Sequence, residues 1–278
     1  MTINCNGRLI DLTTPKIMGI LNTTPDSFYD GGIHHSMELI LEKVQKLLDE
    51  GADMIDIGGY STKPGAEEVS ELEEMNRTIP VIEKLIEKYP DLIISIDTFR
   101  GNVARAAVKA GASIINDVSG FELDEEMLPA IAELKVPYIL MHMKGTPQTM
   151  QDNPTYKDVV LEVNEYFSEK ITRLRELKVN DIILDPGFGF AKTIQHNYEL
   201  FSKMEVLGYH NFPLLVGISR KSMIYKMLGT LPQQALNGTS VLNMVALQKG
   251  ASILRVHDVK EAKETLQIYK ALKGQFEE

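Results

Sequence analysis

The stretch LLVGISRKSMI, Leu214 to Ile224, joins three kinds of chemistry in one short segment. Its first half, Leu214–Ile218, is an unbroken apolar run, the composition of a strand covered on both faces. The run stops at Ser219-Arg220-Lys221-Ser222, two cations between two hydroxyls, where a helical pattern begins. A helix macrodipole disfavours cations in the first turn, so this placement is unfavourable unless an anion also sits there. The chain as a whole is acidic, with 29 Lys+Arg against 39 Asp+Glu and a net charge of −10. The same unit, an apolar run, then a polar cluster, then an amphipathic stretch, recurs along the chain.

The runs are Ile17–Leu21, Met54–Ile57, Ile93–Ile96, Ser113–Ile115, Tyr138–Met141, Ile182–Leu184, Leu214–Ile218 and Ser252–Val256. Helical patterns lie between them: Ser36–Glu50, a segment opened by Ser70-Glu71-Leu72-Glu73, Gly101–Ala110, Glu125–Lys135, Lys157–Lys178, Asn197–Leu207, Ala235–Lys249 and Val259–Leu272. Ser70 with Glu73 has the form of a capping box. Eight strand–helix units predict an α/β chain folded as a (β/α)8 TIM barrel, whose usual size is about 250 residues. A doubly wound open sheet competes, but it more often shows a Gly-rich turn after its first strand. Here that strand runs into NTTPDSF. With no linker or low-complexity segment, the expectation is one domain over residues 1–278, its core about 16–272, and a small cap under the barrel from the first dozen residues.

Composition narrows the function. The acidic balance argues against a general nucleic-acid-binding or anionic-membrane surface, although one pocket can carry the opposite sign. The single Cys5 makes no internal disulfide and fits a reducing compartment. No run of roughly 18 apolar residues marks a membrane span, and the opening MTINCNGRLIDL lacks the pattern of a signal peptide. A cytoplasmic protein acting on small molecules is expected. Zinc spacings, a P-loop and a G-x-S-x-G elbow are absent from the sequence.

In a barrel of this kind chemistry gathers at the C-terminal strand ends, and all eight runs end in polar groups. Asp97, Asn116 and Asp185 follow the third, fourth and sixth runs, and together offer acceptors and amide donors to a planar, nitrogen-rich ring. Lys221 adds a cation to the same rim. Asn22, Arg255 and His257 follow the first and eighth runs, neighbours once a barrel closes. Arg255 and His257 are two apart, hence on one side of a strand, and suit a phosphate clamp, while Asn22 suits a hard metal ion. Asp56 and Asp117 read as turn or cap residues, and His142 as a satisfied core histidine. Arg220 stays open between a ligand contact and a solvated face.

Taken together, MGILNTTPDSFYDGG, DIGGYSTKPGA, IINDVSG, LMHMKGTPQTMQ, LDPGFGFAKT, GISRKSMI and RVHDVKE closely resemble the dihydropteroate synthases of the bacterial folate pathway, in the family's order from about Lys16 to Glu264. The resemblance implies a homodimeric, Mg²⁺-dependent transferase that joins 4-aminobenzoate to 6-hydroxymethyl-7,8-dihydropterin diphosphate and releases diphosphate. It implies that Asp97, Asn116, Asp185 and Lys221 hold the pterin, with Met141, Gly217 and Phe190 lining its slot. Asn22 would bind Mg²⁺; Asn22, Thr62, Lys63, Arg255 and His257 would bind the diphosphate. Phe28, Thr62, Pro64, Phe190, Lys221 and Ser222 would surround the aminobenzoate. An SN1-like departure of diphosphate is implied, with Asp30 the candidate carboxylate near the reacting CH₂. Lys63 stands where the family usually has Arg, giving charge without a bidentate fork. Two other readings are a pterin-dependent methyltransferase domain and a non-catalytic pterin-binding paralogue.

Overall fold

The computed structural model describes residues 1–23, 32–60, 69–146, 154–210 and 212–276. Eight parallel strands close into a barrel: β3 (Lys16–Asn22), β4 (Met54–Gly58), β5 (Ile93–Asp97), β6 (Ile114–Asp117), β7 (Tyr138–Met141), β8 (Ile182–Asp185), β9 (Leu214–Val216) and β10 (Ala251–Val256). Each pairs with the next in sequence, and β10 returns to β3, with Arg255 opposite Met18. This is the expected (β/α)8 barrel.

Because successive residues of a strand face opposite ways, each apolar run is shared between two cores. Met18, Met54, Ile93, Ile114, Ile139, Ile183, Leu215 and Ile253, one from every barrel strand, form an inner layer. Their neighbours Ile17, Ile55, Ile94, Ile115, Tyr138, Ile182, Leu214 and Leu254 belong to an outer cluster shared with the helices. Both faces are apolar, so the strands show no sequence alternation.

The helices are α1 (Gly32–Asp49), α2 (Glu71–Lys88), α3 (Gly101–Ala110), α4 (Met127–Leu134), α5 (Val159–Glu176), α6 (Ile194–Ser202), α7 (Ser222–Tyr225), α8 (Leu236–Gln248) and α9 (Val259–Leu272). Ser70 caps α2 by accepting the Glu73 N–H at 3.2 Å, as its sequence context predicts. Two expectations change. The segment Asn197–Leu207 divides into α6 and a 3₁₀ stretch, Met204–His210. The helix after Ser219 is only four residues, too short to develop the dipole expected there.

Beneath the barrel, β1 (Thr2–Cys5) and β2 (Arg8–Asp11) form an antiparallel hairpin. Ile3, Cys5, Ile10 and Leu12 pack on the inner layer and close the N-terminal end of the barrel. The small cap expected from the first dozen residues is therefore a plug, and the polar strand ends lie at the other end of the barrel.

Candidate active site

Above the inner layer the lumen turns polar. Register places Asn22 opposite Gly58, Gly58 opposite Asp97, and Asp97 opposite Asn116, one row across four strands. On the far wall Met141 lies opposite Asp185. Asp185 and Asn116 are buried, at 6% and 4% exposure, so their polar atoms need partners within the well.

Arg255 crosses this space. Its Nε donates to Asp56 Oδ2 at 2.6 Å and its Nη2 to Asp97 Oδ2 at 2.8 Å. Asn116 Nδ2 donates to the same Asp56 oxygen at 3.0 Å. Asp56, fully buried, is thus a lumen residue and no turn or cap. Asp117, on the opposite face of β6, does behave as the sequence suggested: it accepts from the Ser119 and Phe121 backbone N–H groups and from Tyr138 OH.

Lys221 enters from the β9–α7 turn. Its ammonium donates to the Phe188 carbonyl at 2.5 Å and lies 4.8 Å from the Phe190 ring centroid. Gly217 fits between the two cations: a Cβ there would stand 3.9 Å from Lys221 Nζ and from Arg255 Cβ. Met141 and Phe190 share a small apolar cluster with Val118, Met143 and Ala191, a wall suited to a ring face.

Buried charge is dense in this well. Among the described residues Asp56, Asp97 and Asp185 face Arg255 and Lys221, with Lys192 behind Asp185. Burial first, and then the Asp56 charge against the pull of Arg255, raises Asp97 to about 7. Burial likewise raises Asp185, against the attraction of Lys221. Burial lowers Lys221 to about 8, with Asp185 opposing. Such a site favours a ligand that brings N–H donors or developing positive charge.

At the rim, His257 Nδ1 lies 3.1 Å from Ser219 Oγ, which also accepts the His257 N–H at 3.2 Å. The desolvating rim, then the Arg255 charge, holds its imidazole down at about 4; the ring itself stays exposed, so the repulsion is the firmer cause. The strand β10 ends at Val256, so His257 lies just beyond it and does not share a strand face with Arg255, whose guanidinium is committed to two carboxylates. Arg220 resolves to a structural clip, paired in a fork with Asp258 at 2.9 and 2.5 Å. Ser222 opens α7 directly after Lys221. His142 is the buried core histidine expected, stacked edge-on against Tyr166. Phe28, Asp30, Thr62, Lys63 and Pro64 lie outside the described residues.

Sequence reading missed Asp56 as a site residue, and passed over Lys192, which is buried behind the 186–191 loop. Arg255 itself was a signal for the first: a lumen cation needs an acidic mate on the same inward parity.

Comparison with known proteins agrees with this fold. A family model described as "Pterin binding enzyme" matches residues 18–257. Dihydropteroate synthase of Escherichia coli strain K12 is 44% identical over 273 residues, covering 98% of this chain and 96% of the relative. A Yersinia pestis dihydropteroate synthase solved as a sulfonamide drug complex superposes with a TM-score of 0.92 at 43% identity, covering 99% of this chain and all of that one. The Xanthomonas albilineans enzyme in complex with 7,8-dihydropteroate gives 0.88 at 39% identity, covering 98% and 99%. A closed eight-stranded barrel, an acidic well crossed by Arg255 and near-complete alignment to these transferases lead to one assignment: the chain belongs to the dihydropteroate synthase family of pterin-binding enzymes.

Proposed function

We propose that this chain joins 4-aminobenzoate to 6-hydroxymethyl-7,8-dihydropterin diphosphate, forming 7,8-dihydropteroate and diphosphate. The observation that carries the reading is the convergence of Asp97, Asn116, Asp185, Lys221 and Arg255 on one buried well. The Xanthomonas relative was solved with the compound this reaction would form.

In this reading Asp185 and Asp97 accept N–H bonds from the pterin edge, Asn116 adds an amide, and Met141, Gly217 and Phe190 border the ring. As the bond to diphosphate breaks, positive charge develops on the exocyclic CH₂ and spreads into the dihydropterin. The carboxylates of Asp97 and Asp185 would favour that cation, an SN1-like path aided by pre-set electrostatics. A neutral arylamine is nucleophilic without a strong base. Lys221 and Ser222 would face the aminobenzoate carboxylate, with Phe28, Thr62, Pro64 and Phe190 around its ring and Asp30 near the CH₂. Asn22, Thr62, Lys63, Arg255 and His257 would hold the diphosphate, Arg255 also fixing the orientation of Asp97.

Asn22, half-buried at the end of β3, is one hard oxygen donor beside that position. This fits Mg²⁺, which usually keeps several waters and binds through substrate phosphates with few protein ligands. When bound, Mg²⁺ supplies charge neutralisation to the leaving diphosphate.

The direct test is diphosphate release that depends on added 4-aminobenzoate. Tight pterin binding without release would favour the non-catalytic paralogue, and corrinoid-dependent methyl transfer the methyltransferase. A second expected result concerns pH. Asp97 must be ionised and Lys221 protonated, so kcat/KM should rise through about 7 and fall above about 8, a bell belonging to the coupled network. Lys221→Met should lose the alkaline limb, with turnover lowered at least about tenfold; a limb that survives that substitution would remove Lys221 from the pocket.

Assembly follows from the late helices. Val241 on α8 and Ile268 and Leu272 on α9 are exposed at 55%, 57% and 67%, which supports a homodimer through this face. Light scattering should give twice the 31.2 kDa chain mass, and Ile268→Asp should return it to the single-chain value. No helix among the described residues is long and apolar enough to cross a membrane; an enzyme of the cytoplasm is the corresponding proposal.

A further inference from the structure

We infer that Lys192, which the proposed reaction does not use, is a positioning residue: with His142 it clamps the loop 186–191 from behind and so sets Asp185 and Phe190 for the pterin. The inference rests on the pterin-site reading above. Lys192 is 3% exposed. Its ammonium lies 2.9 Å from His142 Nδ1, 3.0 Å from the Gly187 carbonyl and 3.1 Å from the Phe190 carbonyl, with a longer 3.4 Å approach to the His142 carbonyl. An ammonium has three N–H donors and no acceptor, so the three close partners match it when the imidazole carries its hydrogen on Nε2.

Nothing about this arrangement is cheap. Among the described residues no carboxylate pairs with Lys192. Burial, and then Lys221 and Lys144, draw its pKa down to about 7, with Asp185 the opposing charge. A buried cation without an ionic mate is costly, and a methylene chain alone would fill the same space. The loop it holds needs holding: Gly187, Gly189 and Ala191 all have positive φ, at 66°, 83° and 47°. A Cβ on Gly187 would meet the His142 carbonyl oxygen at 2.0 Å.

The loop's carbonyls are divided between two lysines. Phe188 O turns to Lys221 on the ligand side, while Gly187 O and Phe190 O turn to Lys192 behind. Asn197 and Tyr156 tie down the rest, taking the Gly189 N–H at 2.7 Å and donating to the Ala191 carbonyl at 2.8 Å. The link to the site is direct: Gly187 N–H donates to Asp185 Oδ1 at 2.8 Å, and Phe190 N–H donates to Gly187 O at 3.0 Å. Freeing Gly187 therefore frees both the carboxylate and the ring.

The test compares Lys192→Met, His142→Leu and His142→Asn in the full chain, by hydrogen exchange of segment 186–192 and by calorimetric titration with 6-hydroxymethylpterin. In Lys192→Met, exchange at Gly187 and Gly189 should quicken at least about tenfold while the other strands keep their protection, and pterin should bind at least about tenfold more weakly. His142→Leu should do the same to a smaller degree. His142→Asn, whose side-chain oxygen stands near the place of Nδ1, should restore both. Unchanged loop exchange, unchanged pterin affinity, or loosening spread evenly over the barrel would each overturn the inference. Should Lys192→Met not fold, the His142 pair decides, since equal damage from Leu and Asn also overturns it. A looser loop in a chain that binds no pterin at all would sink the proposed function and leave the clamp standing.

Discussion

Asp185→Ala is expected to lower kcat/KM by about two to four orders of magnitude while changing the stability of the barrel little. The loss follows from the fork of N–H bonds the carboxylate would accept. Hydrogen bonds to charged groups contribute about 1.5–3 kcal/mol each, and two of them, about 3–6 kcal/mol in total, amount to roughly 10²–10⁴ in rate. The stability half follows from sign. Burial raises the Asp185 pKa in the folded state, so the ionised carboxylate is disfavoured by folding; its stabilising contribution belongs to low pH and is lost as pH rises past the unfolded value. At neutral pH its removal relieves that cost, but it also takes the opposing charge from Lys221 and Lys192 and one bond from Gly187 N–H, so the effects offset. Steady-state kinetics beside thermal melts will show both; a kcat/KM within threefold of the parent would end the pterin assignment.

Arg255→Met should act the other way, on the fold before the chemistry. The guanidinium answers two carboxylates, one of them fully buried. Removing one partner of a buried pair typically costs about 3–5 kcal/mol because the remaining charge is left unpaired, a fall of roughly 10 °C in Tm for a chain of this size. Adding Asp56→Asn in the same chain should recover more than half of that, since it removes the charge left behind and keeps a side chain of the same shape. Activity should not return, because Asp97 still lacks its orienting cation. Denaturant melts of the two variants decide the matter, and a single variant as stable as the parent would mean that the three groups are not coupled.

The barrel was legible because a strand covered on both faces needs an unbroken apolar run, and eight such runs stand out from their amphipathic neighbours. The same property hid which residues face inward. Ile93–Ile96 and Ile182–Leu184 look alike on both faces, so the phase of each strand is silent until a partner is known. Asp56 and Asp117 show the consequence: each ends an apolar run, yet one lies in the lumen against Arg255 and the other outside against Tyr138. The resemblance named Asp97, Asn116, Asp185 and Lys221, and these do converge. Lys192 stands inside the motif LDPGFGFAKT, yet nothing in the sequence marks its role, which depends on a loop that returns on itself and on His142, fifty positions earlier. The helix dipole expected after Ser219 also failed, because the α-helix that opens at Ser222 covers only Ser222–Tyr225.

The hairpin below the barrel couples the two ends of the chain in time as well as in space. β1 and β2 are local and need only a tight turn, but their docking surface contains residues from Met18 to Ile253. That surface does not exist until the eighth strand has joined the first, so this contact must form late in folding. Cys5, the single cysteine of the sequence, is buried in it at 4% exposure. Its thiol therefore keeps a chemical clock: during refolding it should stay open to alkylation until the ring shuts, and then fall silent.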